Sequence, residues 1–203
     1  PNTKEEFELN LDYLIDEVKN KRNLIWIYID IQRSDFIPIA TKRGFFFHSC
    51  DEGYILVVKR IKENAIIPTA ANHTLGVGAV VINDKNEILV IKERISNLGY
   101  KLPGGHIDNG EMISTAVSRE VLEETGIIVE FESIISLGHF YPHQFHKSNL
   151  YVICTANPKT FEINIQDIEE ILDAKWENIN TYLSDDSVLD YSKAIIIAAL
   201  EEK

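Results

Sequence analysis

Cysteine is scarce in this 203-residue chain, with Cys50 and Cys154 far apart and neither in a CxxC or Cys/His ligand spacing. A disulfide framework or a cysteine-built metal centre is therefore excluded, and both thiols are expected to be reduced and buried. No apolar run reaches the roughly 18 residues that span a bilayer; "AIIIAAL" near the end is the longest greasy stretch. The opening PNTKEEFELN is polar and acidic, without the apolar core of a secretory leader, so a cytoplasmic protein with no membrane partner is expected. The single methionine is Met112, so Pro1 is expected to be a start made by processing or trimming.

Positive charge is the other thing in short supply. Twenty Lys and Arg stand against 32 Asp and Glu, for a net charge of -12. Residues 1–74 hold 10 basic and 11 acidic side chains, whereas residues 75–203 hold 10 and 21. No basic stripe exists to neutralise a nucleic-acid backbone, which argues against nucleic acid as a partner. If the acidic half handles phosphates, cations must mediate.

The apolar pattern describes an α+β chain in two parts. Phe7, Leu11, Leu14, Ile15 and Val18 form one face of a helix. Ile25, Ile27, Ile29 and Ile31 alternate as in a half-buried strand. "SDFIPIATKRG" predicts a short helix capped by Ser34 or Asp35 and ended by Gly44, and "GFFFHSC" and "YILVVKRI" predict a hairpin. The stretch Asn64–His73, with Pro68, reads as a connection, giving an N-terminal α+β domain at 1–70 and a second domain at 71–203. In the second, "LGVGAVVI" and "EILVIKER" flank NDKN as a further hairpin, and a glycine-rich loop from Leu98 to Gly110 leads into a helix from about Met112 to Thr125, stopped by Gly126. Strands follow at residues 127–140 and 149–156, then a short one at "AKWENI" and a closing helix from Ser187 onward.

Within that central helix, Glu120, Glu123 and Glu124 are spaced as i, i+3 and i+4 and share one face. On a bare surface each pair would repel by several tenths of a kcal/mol. A divalent cation reverses the sign, and hard carboxylate oxygens suit Mg²⁺ or Mn²⁺. Arg119, four residues before Glu123, can brace its carboxylate. Gly104 and Gly105 allow a tight backbone turn where a Cβ would obstruct. Any two of these glutamates alone would read as a solvated acidic face. The full register is another matter: Gly105, five residues, Glu111, seven residues, Arg119-Glu120, apolar Val121, one residue, Glu123-Glu124, one residue, Gly126 and apolar Ile127. At background frequencies it would arise on the order of once in a billion starts.

This register resembles the Nudix box of the Nudix (MutT-like) hydrolases. The resemblance implies an α/β/α sandwich with a mixed sheet and cleavage of the diphosphate bridge in a nucleoside diphosphate linked to another group X. It implies Mg²⁺ or Mn²⁺ on Glu120, Glu123, Glu124 and the backbone carbonyl of Gly105, with Glu111 and Gly126 as structural members. The family varies in where its general base sits, so Glu123, Glu124, and Glu169 or Glu170 in "IQDIEEILDAKW" all remain candidates, with Arg119 supporting. Lys101, Gly104, Gly105, His143 and Phe145 are candidate substrate contacts. His139, His143 and His146 are zinc ligands by residue type alone, lacking an evident fourth partner. Phe140, Tyr141 and Phe145 could stack a base or fill core.

Further stretches, "GFFFHSCDEGYILVV", "IPTAANHTLGVGAVVIN" and "FHKSNLYVICTA", resemble a subgroup with a domain ahead of the Nudix domain. It holds the plant ADP-ribose/NADH pyrophosphatases and an animal protein made from the antisense strand of a fibroblast growth factor gene. The resemblance implies an acetyltransferase-like first domain and ADP-ribose, NADH or a similar nucleotide as substrate. The subgroup's Lys-Ser-Asp reads Lys147-Ser148-Asn149 here, and "KLPGGHID" follows the general Nudix form. Oxidised nucleoside triphosphates and dinucleoside polyphosphates suit the same machinery, and a nucleotide-responsive binding module is a separate possibility. A homodimer is compatible with the sequence, although no segment marks its interface.

Overall fold

A computed structural model describes residues 1–96 and 99–201, which form two compact units, Pro1–Asn72 and His73–Lys203. In the first unit, helix α1 (Lys4–Val18) starts where the Thr3 hydroxyl accepts the Glu6 N–H, and it buries Phe7 and Leu11. Strand β1 (Leu24–Asp30) pairs antiparallel with β3 (Tyr54–Arg60), which also pairs with β2 (Phe46–Cys50). Phe7 stacks on Phe36 with ring centroids 4.4 Å apart, and Ile25, Ile29, Ala40, Phe45 and Val57 complete this core.

Two expectations here are corrected. Ile31 leaves the strand and opens a 3-10 turn, Ile31–Phe36, because the Asp30 carboxylate accepts the Gln32 N–H and turns the chain. Helix α2 (Ile37–Lys42) grows directly out of that turn, so Phe36 sits at its cap without a side-chain hydrogen bond, and neither Ser34 nor Asp35 caps it. Cys50 is exposed, contrary to the expected buried thiol, because β2 is an edge strand; Cys154 is buried.

The second unit is a sandwich. Strand β4 (His73–Val81) runs parallel to β7 (Ser148–Pro158), which pairs antiparallel with β6 (Val129–Phe140); β5 (Glu87–Glu93) pairs with β8 (Ile171–Asn178). Alternation along β4 and β7 sends side chains to two helical layers. Val77, Ala79, Val81, Val152 and Cys154 meet Ala116, Val117 and Val121 of helix α3 (Ile113–Thr125). Val80 and Ile153 point the other way, joining Ile179 and Tyr182 of α4 (Ile179–Ser184) and Ile195, Ile196 and Ala199 of α5 (Asp190–Glu201). This is the expected α/β/α arrangement. Leu98 and the last two residues of the expected closing helix lie outside the described residues.

The second expected hairpin is only a turn. One bridge, Ile82 to Ile88, joins β4 and β5 before they part into different sheets. The glycine loop takes the space between them. Lys101 exchanges both backbone hydrogen bonds with Ile91, and Pro103 and Gly105 carbonyls accept the N–H groups of Ala79 and Val77. Ile107 N–H then donates to the Leu75 carbonyl. Each β4 donor so paired is lost to a β5 ladder, which is why the strands splay. Strand β8 also begins earlier than "AKWENI", at Ile171, and α4 was not expected.

Candidate active site

Helix α3 ends at Gly126, whose φ of 77° is the left-handed cap geometry and whose N–H donates to the Leu122 carbonyl. A Cβ there would stand 2.4 Å from the Asn164 carbonyl oxygen. That contact belongs to a loop laid on the helix terminus: Asn164 N–H donates to the Thr125 carbonyl, and the N–H groups of Gln166 and Asp167 both donate to the Glu123 carbonyl at 2.9 Å. The carbonyls that a helix end leaves open are thereby satisfied. Asp167 in turn accepts the Glu170 N–H, and Arg94 N–H donates to the Glu170 carbonyl, so the loop fixes Glu170.

Arg119 organises the glutamates. Its Nε and Nη2 reach the two carboxylate oxygens of Glu111 at 3.0 and 2.8 Å, a bidentate pair. Nη1 donates to Glu120 at 2.9 Å and to Glu123 at 3.1 Å, while Nη2 also reaches the His106 carbonyl at 3.0 Å. The guanidinium therefore serves more than the Glu123 brace read from spacing. Its hydrogen bonds hold the Glu111 carboxyl below the usual range against the opposing effect of burial, with help from the Asp108 N–H.

Glu124 and Glu120 behave differently. Glu124 is 4% exposed and accepts the Gly104 N–H at 2.7 Å. Burial pushes its carboxyl up to about 8, against the Gly104 hydrogen bond and the charge of Lys101; Glu120 and Glu170 push the same way as burial. Burial also raises Glu120, opposed by Arg119 and reinforced by Glu123 and Glu170. Glu123 is the outermost of the three, its side chain 46% exposed. Two partly dehydrated carboxylates with too little positive charge around them favour either protons or a cation.

The glycines make the approach possible. A Cβ on Gly105 would lie 2.7 Å from a Glu120 carboxylate oxygen, and one on Gly104, where φ is 146°, would strike the Val77 carbonyl at 2.1 Å. Beside them opens a cleft of about 300 Å³ whose walls include Lys101, Gly104, Gly105, His143 and Glu170. Sequence reasoning named all five. It missed Glu93, which forms an ion pair with Lys101, and Tyr151 on the wall; Asn149, noted only as a departure from the subgroup's Lys-Ser-Asp, lines it too. One signal was available: Gly76 and Gly78 alternate within an apolar strand, and a Cβ on either would meet the Tyr151 ring at 2.7 or 2.9 Å.

Phe145 is not brought to the cleft. It is 85% exposed with φ 55°, turned outward by the left-handed backbone of the Gln144–His146 turn, and Gln144 lines the wall instead. Tyr141 is likewise exposed, and Phe140 packs edge-on against Tyr191. Glu169 faces a neighbouring hollow beside Ile95. The three histidines do not gather: His139 contacts His73 at 3.2 Å, His143 lines the cleft and His146 is exposed. Among the described residues, no group of three or more His, Cys, Asp or Glu side chains is drawn together tightly enough to hold a metal ion. The donor set around Gly105 nevertheless fits a hard divalent cation, because the buried carboxylate oxygens of Glu120 and Glu124 are short of positive charge and glycine leaves room beside Glu120.

A family model for the NUDIX domain matches residues 72–196, most of the chain. The chain belongs to the Nudix family. A second model, described as a Nudix hydrolase domain, matches residues 1–61. Nudix hydrolase 8 of Arabidopsis thaliana is 38% identical over 75% of this chain and 42% of its own length. The human nucleoside diphosphate-linked moiety X motif 6 is 35% identical over 86% of this chain and 57% of its own. Plant and animal relatives of the expected subgroup are thus both represented, and the chain spans about half the length of each. Among solved Nudix structures, a hydrolase from Nitrosomonas europaea superposes with a TM-score of 0.55 at 25% identity, covering 64% of this chain and 90% of that one.

Proposed function

We propose that this Nudix protein hydrolyses the diphosphate bridge of a nucleoside diphosphate linked to a group X, with ADP-ribose or NADH as the favoured substrates. The observation that carries the reading is the crowding of Glu120, Glu124 and Glu170 at the Gly104–Gly105 turn, where burial raises the first two carboxyls and mutual repulsion adds to it. Such an arrangement is costly in a protein that binds nothing charged. Glu120, Glu123, Glu124 and the Gly105 carbonyl would hold Mg²⁺ or Mn²⁺, which supplies positive charge to polarise the diphosphate and offset charge developing in the transition state.

The chain's own groups do the rest. Gly104 and Gly105 admit the diphosphate against bare backbone. Arg119 keeps Glu111, Glu120 and Glu123 from moving apart. A water oxygen bonds to one phosphorus, the bridging P–O bond breaks, and the water's proton passes to a carboxylate. Glu170 is the better-placed acceptor, since it lines the cleft whereas Glu124 is buried and already engaged by Gly104. Lys101, paired with Glu93, lies where it can meet a phosphate oxygen.

Chromatography of products from the purified protein with Mg²⁺ tests the reading. ADP-ribose is expected to yield AMP and ribose 5-phosphate, and NADH to yield two mononucleotides. Binding of either compound without any cleavage would overturn it.

A further inference from the structure

The cleft is walled by more than glycines and charged groups: Asn149, Tyr151 and His143 line it as well. Thr74 and Asn149 are register partners on the parallel strands β4 and β7, and Gly76 and Tyr151 are the next pair on the same face. Farther along, that face is filled where Ile153 packs under α4 and α5. At Gly76 there is no side chain; the Tyr151 ring and the Gly105 carbonyl lie against it, and all three residues border the cleft. Asn149 is 7% exposed, yet it lines the cleft. The Thr74 hydroxyl donates to its Oδ1 at 3.0 Å, which fixes the amide plane and leaves the Nδ2 hydrogens to be used from the cleft. His143 stands on the same wall, with its Nδ1 buried and lacking a hydrogen-bond partner. A buried polar atom without a partner is uncommon, and a ligand group is one way to satisfy it.

The charges along the cleft decide what kind of group fits. Glu93 and Glu170 line it, and Lys101, paired with Glu93, already serves the diphosphate. A further phosphate would therefore meet net repulsion, whereas an uncharged group with hydroxyls would be welcome. Phe145 and Tyr141 face away, and the Tyr151 ring is held against Gly76 and Gly78, so a stacked base finds little aromatic surface. We propose that Asn149, oriented by Thr74, and His143 form a subsite for the sugar of group X, beyond the diphosphate, and so select nucleoside diphosphates linked to a neutral polyol. This rests on the diphosphate reading of the neighbouring site.

The test compares affinities for ADP-ribose and ADP by calorimetry on the full chain, with Ca²⁺ in place of Mg²⁺. The wild-type protein is expected to bind ADP-ribose roughly tenfold more tightly than ADP, the worth of one or two good hydrogen bonds. Asn149→Leu is expected to bring that ratio to about one. Because Asn149 is buried and the variant can fail to fold, Thr74→Val, which frees the amide, should narrow the ratio as well, and Thr74→Ser should restore it. A wild-type ratio near one, or a ratio unchanged in Asn149→Leu and Thr74→Val, would overturn the subsite. A wild-type preference lost in the variants, in a protein that never cleaves ADP-ribose, would leave the subsite standing and remove the hydrolase reading.

Discussion

Glu124 is a carboxylic acid that burial holds about 8, far above its ordinary 4.5. The folded chain therefore binds its proton more tightly than the unfolded chain does. Stability from this group is fully present below pH 4.5 and is lost as pH rises toward 8, by an amount on the order of a few kcal/mol. Thermal unfolding of metal-free protein between pH 5 and 9 should show that decline, and Mg²⁺ should flatten it by supplying the missing positive charge. Glu124→Gln should weaken both effects, leaving the smaller part that Glu120, also raised by burial, contributes. Arg119 is the counterpart: Arg119→Lys keeps the charge but cannot reproduce the bidentate bond to Glu111 while reaching Glu120 and Glu123. A loss of about 1–3 kcal/mol in denaturant unfolding is expected, and turnover should fall with it as the carboxylates lose their brace.

Helix α3 and the loop after β7 act as one device. The loop satisfies the helix's open carbonyls, and in return the helix end places Glu170 near Glu120 and Glu124. Gly126→Ala attacks that contact directly, since its Cβ would collide with Asn164 and its backbone stays left-handed. Turnover is expected to fall at least about tenfold, together with 1 kcal/mol or more of stability; wild-type kinetics in this variant would show that Glu170 is placed some other way. The glutamate register was legible before any coordinates because helix periodicity alone puts i, i+3 and i+4 on one face. The splayed β4 and β5 were not legible. Alternating apolar residues announce strands but not their partners, and here β4 has β7 on one edge and, on the other, a glycine loop that carries no strand signal. Asn149 was legible only as a departure from the subgroup pattern; its pairing with Thr74, 75 residues away in the chain, escaped because only the parallel register brings the two together.

At the scale of the whole molecule, the two compact units each have their own core, and residues 65–72, at the end of the first unit, lack regular structure. Ile66 is 88% exposed in that stretch. We propose these units as separate domains, and limited proteolysis should cut first within 64–72, leaving two fragments identifiable by mass; initial cuts inside α3 or β7 would argue otherwise. The acidic excess also lies almost wholly in residues 75–203, so salt and divalent ions should affect the second unit more. No described helix is long and apolar enough to cross a membrane.

The most direct test is the turnover of ADP-ribose by Glu124→Gln beside wild type at saturating Mg²⁺. Glutamine keeps the shape and can still accept the Gly104 N–H, but it removes the charge. The account predicts a fall of at least about a hundredfold with unfolding temperature kept or raised. Undiminished turnover in the variant would mean that the buried carboxylate serves neither cation nor chemistry, and the assignment of this site would be wrong.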